Sequence, residues 1–376
     1  MIIAASATSL VPSGTANSIQ VMMACDGLRR CGADVRLCVP GTGSVSFDEV
    51  RERYALRCEP FPITRAQSRP KLHRLDFVLG ALKEAERVKA DVVYTWTIQI
   101  AAAAALRGKR TAYEMHDLPV GGGVRWFDLY TRTKAPKTVL FITEALRDKC
   151  LARWPKLKAE DCLIAPNGVS PEDYEDLPDL AEAKRRLGFP ADRTAVSCSG
   201  HLYAGRGSGL FIDLAERFPE ADFHWFGGTD DAVERCRAEV AAKGLTNAVF
   251  HGFLTKAELP LAQAACDILL MPYASKIAGS SGGNSAEICS PMKMFEYMAE
   301  GRCIVSADLP VIHEVLDERC AVFCEPEDVS SWTEGLRRVI NDPELRNRLG
   351  SEAKRRSADY TWQKRAESYL NGSRHE

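Results

Sequence analysis

The chain has 376 residues, 45% hydrophobic and 27% charged, a globular composition at roughly two and a half times a single domain of about 150 residues, so two domains are expected. No stretch approaches the roughly 18 apolar residues of a membrane span, and the start MIIAASAT has neither a basic region nor a usefully long apolar one, so a cytoplasmic protein is expected. Thirteen cysteines, an odd number without a C-x-x-C pair, read as reduced and mostly buried small residues, which argues against a disulfide scaffold or a zinc module.

In chain order, MIIAASAT reads as a strand, followed by the small-residue loop TSLVPSGTANS and a helix over 18–32 that stops at Gly32. ADVRLCV is the next strand. The stretch 65–89 gathers Arg65, Arg69, Lys71, His73 and Arg74 ahead of an amphipathic pattern. DVVYTW, a helix over 100–108, TAYEMHD, TVLFIT and a helix over 144–154 continue the alternation of strand and helix, the mark of a parallel sheet covered by helices. IAPNGVSPEDYEDLPDL (164–180), rich in Pro and acids and without periodicity, is the expected linker. The second half repeats the alternation from TAVSCSG to CAVFCE, and 331–370 is helical and long enough to reach back to the first half. The expected division is 1–168, 169–355 and a returning segment 356–376. In two doubly wound domains facing across a cleft, ligands bind beyond the carboxyl ends of the strands, so chemistry belongs in the βα loops.

The net charge of −2 is unevenly spread, residues 1–168 carrying 25 Lys and Arg against 17 Asp and Glu and the remainder 24 against 34. Two readings stay open: two solvated domains that attract each other, or a basic N-terminal half facing an anionic acceptor or membrane surface.

Four loops carry candidate chemistry. Gly14 in the first βα loop allows close backbone approach, and amides at a helix start attract phosphate, although the loop is neither GxGxxG nor a Walker sequence. His116 follows the strand TAYEM. In GHLYAGRGSG, Gly200, Gly205, Gly207 and Gly209 open the loop to a ligand, and Arg206 is a permanent cation suited to phosphate oxygens. The glycine-rich run 278–283 leads to SPMKMFEYMAEG, where Ser290 is the expected N-cap, Pro291 the first helical residue and Gly301 the stop. Met292, Phe295, Met298 and Ala299 form the apolar stripe. Glu296 lies on its rim with Glu300 one turn on, a like-charge spacing only partly offset by Lys293 and so in need of another reason.

SPMKMFEYMAEGRCIVSADLPVIHEVL, together with GHLYAGRG, DILLMPY, APNGV and EMHD in this order, resembles the retaining family-4 glycosyltransferases of GT-B fold over nearly the whole chain. The resemblance implies that Glu296 binds the ribose hydroxyls of a nucleotide-sugar donor and that Arg206, where the family usually has Lys, contacts its diphosphate. Backbone amides of Met292, Lys293 and Gly14 would meet phosphate, and His116 would lie beside the transferred sugar. Two places depart from the family. The glutamate expected eight residues before Glu296 is Ile288, with Glu287 adjacent, and the Arg of Gly-Arg-Leu is His201. The implied activity is metal-independent hexosyl transfer with retention, with no cofactor beyond a UDP- or GDP-sugar substrate. The implied setting is cell-envelope polysaccharide, lipopolysaccharide or capsule synthesis, with a glycan or lipid-linked acceptor and no nucleic acid. The basic amphipathic segment reads equally as a solvated helix or as a peripheral contact on the inner face of the membrane. The alternatives are a catalytically weak nucleotide-sugar-binding homologue, favoured by Ile288 and His201, and a GT-B-fold sugar-nucleotide epimerase.

Overall fold

The computed structural model describes residues 1–72, 74–277 and 284–372. It forms two compact units, Met1–Asn167 with Trp362–Glu376 and Gly168–Thr361. The first holds a parallel seven-stranded sheet of β1 (Ile2–Ser6), β2 (Asp34–Pro40), β3 (Ile63–Ala66), β4 (Val92–Thr95), β5 (Thr111–Met115), β6 (Lys137–Phe141) and β7 (Cys162–Ile164), in the order β3-β2-β1-β4-β5-β6-β7. The second holds a parallel six-stranded sheet of β8 (Thr194–Ser199), β9 (Ala221–Phe226), β10 (Ala248–Gly252), β11 (Ile268–Met271), β12 (Cys303–Ala307) and β13 (Ala321–Cys324), ordered β10-β9-β8-β11-β12-β13. Both are doubly wound parallel sheets in which the strand order reverses next to β1 and next to β8. Strands such as ILLM and CIVSA are buried along their whole length because helices cover both faces. All thirteen cysteines are free and most are buried. Among the described residues no helix is long and apolar enough to cross a membrane.

The terminal region is helical, as expected, but in separate pieces. It is three helices, Val329–Ile340, Pro343–Ser357 and Trp362–Gly372. Pro343 cannot continue the first, and the Asp342 side chain accepts from Leu345 N to start the second. The expected boundary at 355/356 therefore falls inside a helix, and the division lies at 361/362 instead. The last helix packs with the first unit against the helix Ala16–Arg30. Gly27 makes this approach feasible, since a Cβ there would lie 2.4 Å from the Trp362 carbonyl oxygen. Edge strands β3 and β7 were not expected, being four and three residues long and only half buried.

An unanticipated pair lies in the second unit. His224 Nδ1 is 3.0 Å from His251 Nε2, and the His224 ring stacks on Phe189 at 3.9 Å. Burial, then the neighbouring His251 and Lys184, push the His224 imidazole down to about 3. The unfolded chain therefore takes up a proton below pH 6.5 that the folded unit refuses, and stability falls between pH 6.5 and about 3. Glu300 opposes this, its carboxyl raised to about 7 chiefly by burial, so the folded unit gains a proton, and stability, between 7 and 4.5. Melting curves of the parent and His224→Phe between pH 7 and 4.5 separate the two: the variant gains about 1 to 2 kcal/mol on the parent as pH falls. Parallel curves overturn this assignment.

Candidate functional site

Three of the expected donor-binding residues, His201, Arg206 and Lys293, come together in the second unit. β8 ends at Ser199, where Tyr297 Oη lies 2.7 Å from the Ser199 amide nitrogen and accepts from it, fixing the end of the strand to the helix Met292–Glu300. Gly200, at φ +132°, lets Lys293 close in: a Cβ there would sit 3.3 Å from Lys293 Nζ. The Lys293 ammonium, on a buried side chain, is 3.5 Å from Cys198 Sγ and 5.1 Å from the Tyr273 ring centroid. The Arg206 guanidinium lies over the same ring at 5.3 Å. Among the described residues neither cation has a carboxylate partner within salt-bridge range. Two positive charges thus flank the start of a helix whose first amides lack intrahelical acceptors, the arrangement of an anion site.

His201 adds no fixed charge. Its ring stacks on Tyr203, Nδ1 is buried without a hydrogen-bond partner, and burial, then Arg206 and Lys293, lower its basicity. It is neutral at pH 7.

The helix start differs from expectation. Pro291 is the N-cap, extended at ψ 124°, and the helix begins at Met292; Ser290 lies one residue further out and is buried. The helix is also buried beyond one stripe, Met294 and Tyr297 joining Phe295, Met298 and Ala299, while Met292 is only half buried. The glycines of the β8 loop differ too. A Cβ at Gly205 would lie 2.4 Å from the Lys276 carbonyl oxygen and at Gly207 1.9 Å from that of Pro272, so these two serve backbone packing against the exit of β11 and do not open the loop. Gly209 faces open space. The glycine-rich run 278–283 and His73 lie outside the described residues.

Glu296 is partly buried, with 16% of its side chain exposed, and Lys256 Nζ stands 3.9 Å from its Oε1 and 3.4 Å from Asp173 Oδ2. Burial raises its carboxyl above the ordinary range, and Lys256 draws it back. The like-charge spacing to Glu300 is relieved by Glu300 itself, which is buried, 3.5 Å from Arg302 Nε and raised to about 7, so that it is substantially protonated near neutrality. Ile288 is buried, whereas the adjacent Glu287 is exposed, Asn284 Nδ2 donating to its Oε1 at 3.4 Å. An apolar side chain thus occupies the position of the missing glutamate.

Gly14 and His116 belong to the first unit. Gly14 precedes Thr15, whose side chain accepts from Ser18 N and caps the helix after β1. His116 follows β5, and its Nε2 lies 2.7 Å from Glu114 Oε1. Sequence reasoning missed Glu114, Arg365, Asp173 and Lys256. For Glu114 a signal existed, an ionisable residue inside the otherwise apolar strand TAYEM; the others became visible only through packing.

Two family models match in tandem: Glycosyltransferase Family 4 over residues 18–173 and Glycosyl transferase-like over residues 206–371. The chain is a glycosyltransferase of GT-B type, its first half similar to family 4 and its second half to the glycosyl transferase-like proteins. Among curated relatives, the 2-deoxystreptamine N-acetyl-D-glucosaminyltransferase of Streptomyces fradiae is 36% identical over 125 residues, 31% of this chain and 30% of its own. The alpha-galactosylglucosyldiacylglycerol synthase of Streptococcus pneumoniae (strain ATCC BAA-255 / R6) is 22% identical over 198 residues, 50% of this chain and 53% of its own. The chain thus spans between about a third and half of the length of these relatives. Among solved structures, Anabaena Alr3699/HepE in complex with UDP and glucose superposes with a TM-score of 0.77 at 17% identity, over 100% of this chain and 99% of that one, a likeness of fold.

Proposed function

We propose that the protein is a retaining glycosyltransferase that moves a hexose from a UDP- or GDP-sugar to a hydroxyl acceptor, without a metal ion or cofactor, in cell-envelope polysaccharide, lipopolysaccharide or capsule glycan synthesis. The observation that carries this reading is the pair of cations without carboxylate partners, Arg206 and Lys293, at the start of the helix that bears Glu296. The diphosphate leaves as the bond from the anomeric carbon to its oxygen breaks, and the cations and amides stabilise the charge that develops there. The acceptor oxygen bonds to the anomeric carbon on the same face, and its proton passes to the departing phosphate oxygen. Glu296 accepts the ribose hydroxyls, and the resemblance assigns Gly14 to phosphate and His116 to the transferred sugar. UDP is favoured because the solved relative binds it.

A cytoplasmic protein seated peripherally on the membrane is consistent with Leu72, Leu75 and Leu79, which are 41%, 49% and 53% exposed beside Lys71 and Arg74. The glycolipid named for one curated relative fits a lipid-linked acceptor. The test is a melting-temperature panel of UDP, GDP, ADP and their sugar conjugates, run with and without EDTA, and with flotation on anionic or zwitterionic vesicles. A ligand at 100 times its dissociation constant adds about 2.7 kcal/mol. One nucleotide raises the melting temperature, EDTA leaves the rise unchanged, and the protein floats with anionic vesicles only. No shift at millimolar nucleotide overturns the donor site, a rise lost in EDTA overturns metal independence, and flotation on neither vesicle overturns the membrane seat. Binding without turnover favours the weak homologue, the reading that the buried Ile288 supports.

A further inference from the structure

Glu114 is an acid without solvent contact in a fully buried strand, and three hydrogen-bond donors and one guanidinium charge converge on its two oxygens. Tyr94 Oη of β4 donates to Oε2 at 2.5 Å, Gln20 of the helix Ala16–Arg30 donates to Oε1, His116 Nε2 stands 2.7 Å from Oε1, and Arg365 of the helix Trp362–Gly372 brings a guanidinium nitrogen within 2.7 Å of Oε1. Arg365 is itself buried, and its Nε donates to the carbonyls of Ala165 at 3.2 Å and Pro166 at 3.0 Å. Burial alone would raise the Glu114 carboxyl, but Arg365, His116 and Tyr94 outweigh it and hold it at about 2. A buried ion pair of this kind is a weak source of stability, since apolar side chains of similar size often do as well. Another role is therefore needed. His116 is the member that reaches solvent, its side chain 29% exposed against 0% for Glu114 and 6% for Arg365.

A carboxylate only accepts, so the His116 bond to Glu114 requires Nε2 to carry the proton, and in the neutral ring Nδ1 is then a bare acceptor. We propose that Glu114 and Arg365 are positioning residues: Arg365 holds Glu114 in place, and Glu114 holds His116 in the Nε2–H tautomer, leaving Nδ1 as the acceptor for a sugar hydroxyl. This rests on the reading of the protein as a sugar transferase. A guanidinium suits the task because it sets its charge beside the carboxylate while its Nε donates to two carbonyls, which an ammonium on a flexible stem cannot.

The test uses the full chain with ¹⁵N-labelled histidine, the His116 signals being identified by their loss in His116→Gln. The parent shows one neutral tautomer, protonated at Nε2. Single variants leave a buried charge unpaired, so the informative protein is the double variant Glu114→Leu/Arg365→Met, which removes both charges and keeps the volume. It folds, yet His116 becomes a mixture of tautomers. Once a donor is known, kcat falls on the order of 10- to 100-fold while the donor KM changes little, and Arg365→Lys, which retains the charge, keeps more activity than Arg365→Met. A mixed or Nδ1–H tautomer in the parent, or an unaltered His116 in the folded double variant, overturns the proposal. The nucleotide melting panel reads the other unit, so an anchored His116 without any nucleotide shift overturns the transferase reading alone, and a nucleotide shift with an unanchored His116 overturns the positioning role alone.

Discussion

Glu296→Ala removes most of the nucleotide-induced rise in melting temperature. Two ribose hydroxyls lose a charged acceptor, each such bond being worth about 1.5 to 3 kcal/mol, so affinity falls by roughly 10- to 150-fold even if only one bond's worth is realised. The apo protein does not lose comparable stability. Burial already penalises the Glu296 carboxylate, and Lys256 keeps Asp173 as a partner at 3.4 Å. The same burial fixes the sign of a pH effect: the carboxyl takes up its proton at a higher pH than an ordinary glutamate, so nucleotide affinity declines earlier on acidification, and this decline is missing in the variant. Titration calorimetry of parent and variant at pH 7.5 and 5 reads both effects. Equal affinities at pH 7.5 remove Glu296 from the donor site.

Arg206→Ala lowers kcat by about 100- to 1,000-fold, the usual loss when one preorganised stabiliser of developing charge is deleted. The fold tolerates the change. Arg206 is half buried, and its contact with the Tyr273 ring at 5.3 Å is worth only about 0.5 to 1 kcal/mol. The position carries more weight here because His201, where the family has a second cation, is neutral and Lys293 is then the one remaining charge of the described cluster. Steady-state rates with the donor that the melting panel identifies decide the matter. A variant within about threefold of the parent places the leaving diphosphate elsewhere.

The strands buried on both faces were legible because a parallel sheet under two helical layers writes itself as short apolar runs, MIIAAS and DILLM among them. Strands β3 and β7 were not legible, since edge strands of three or four residues are half buried and leave no such run. In the site, Glu296 and Arg206 stood out as charges set beside helix starts and glycines. The purpose of those glycines did not: Gly205 and Gly207 are small because the backbone of Pro272 and Lys276 passes close by, a demand made by residues far along the chain.

The sequence by itself determined the alternation of strand and helix, the two doubly wound units, and the helix that presents Glu296, because these follow from local periodicity and from the residues that start and stop helices. Tertiary structure alone decided what surrounds the reactive groups. Arg365 meets Tyr94 from 271 residues away and Gln20 reaches Glu114 across 94, and Lys256 joins Asp173 to Glu296. Periodicity shows only which residues a segment buries. Which buried charge meets which partner depends on where helices from distant parts of the chain come to rest on the sheet, and that packing sets whether Glu114 is ionised and which nitrogen of His116 carries the proton.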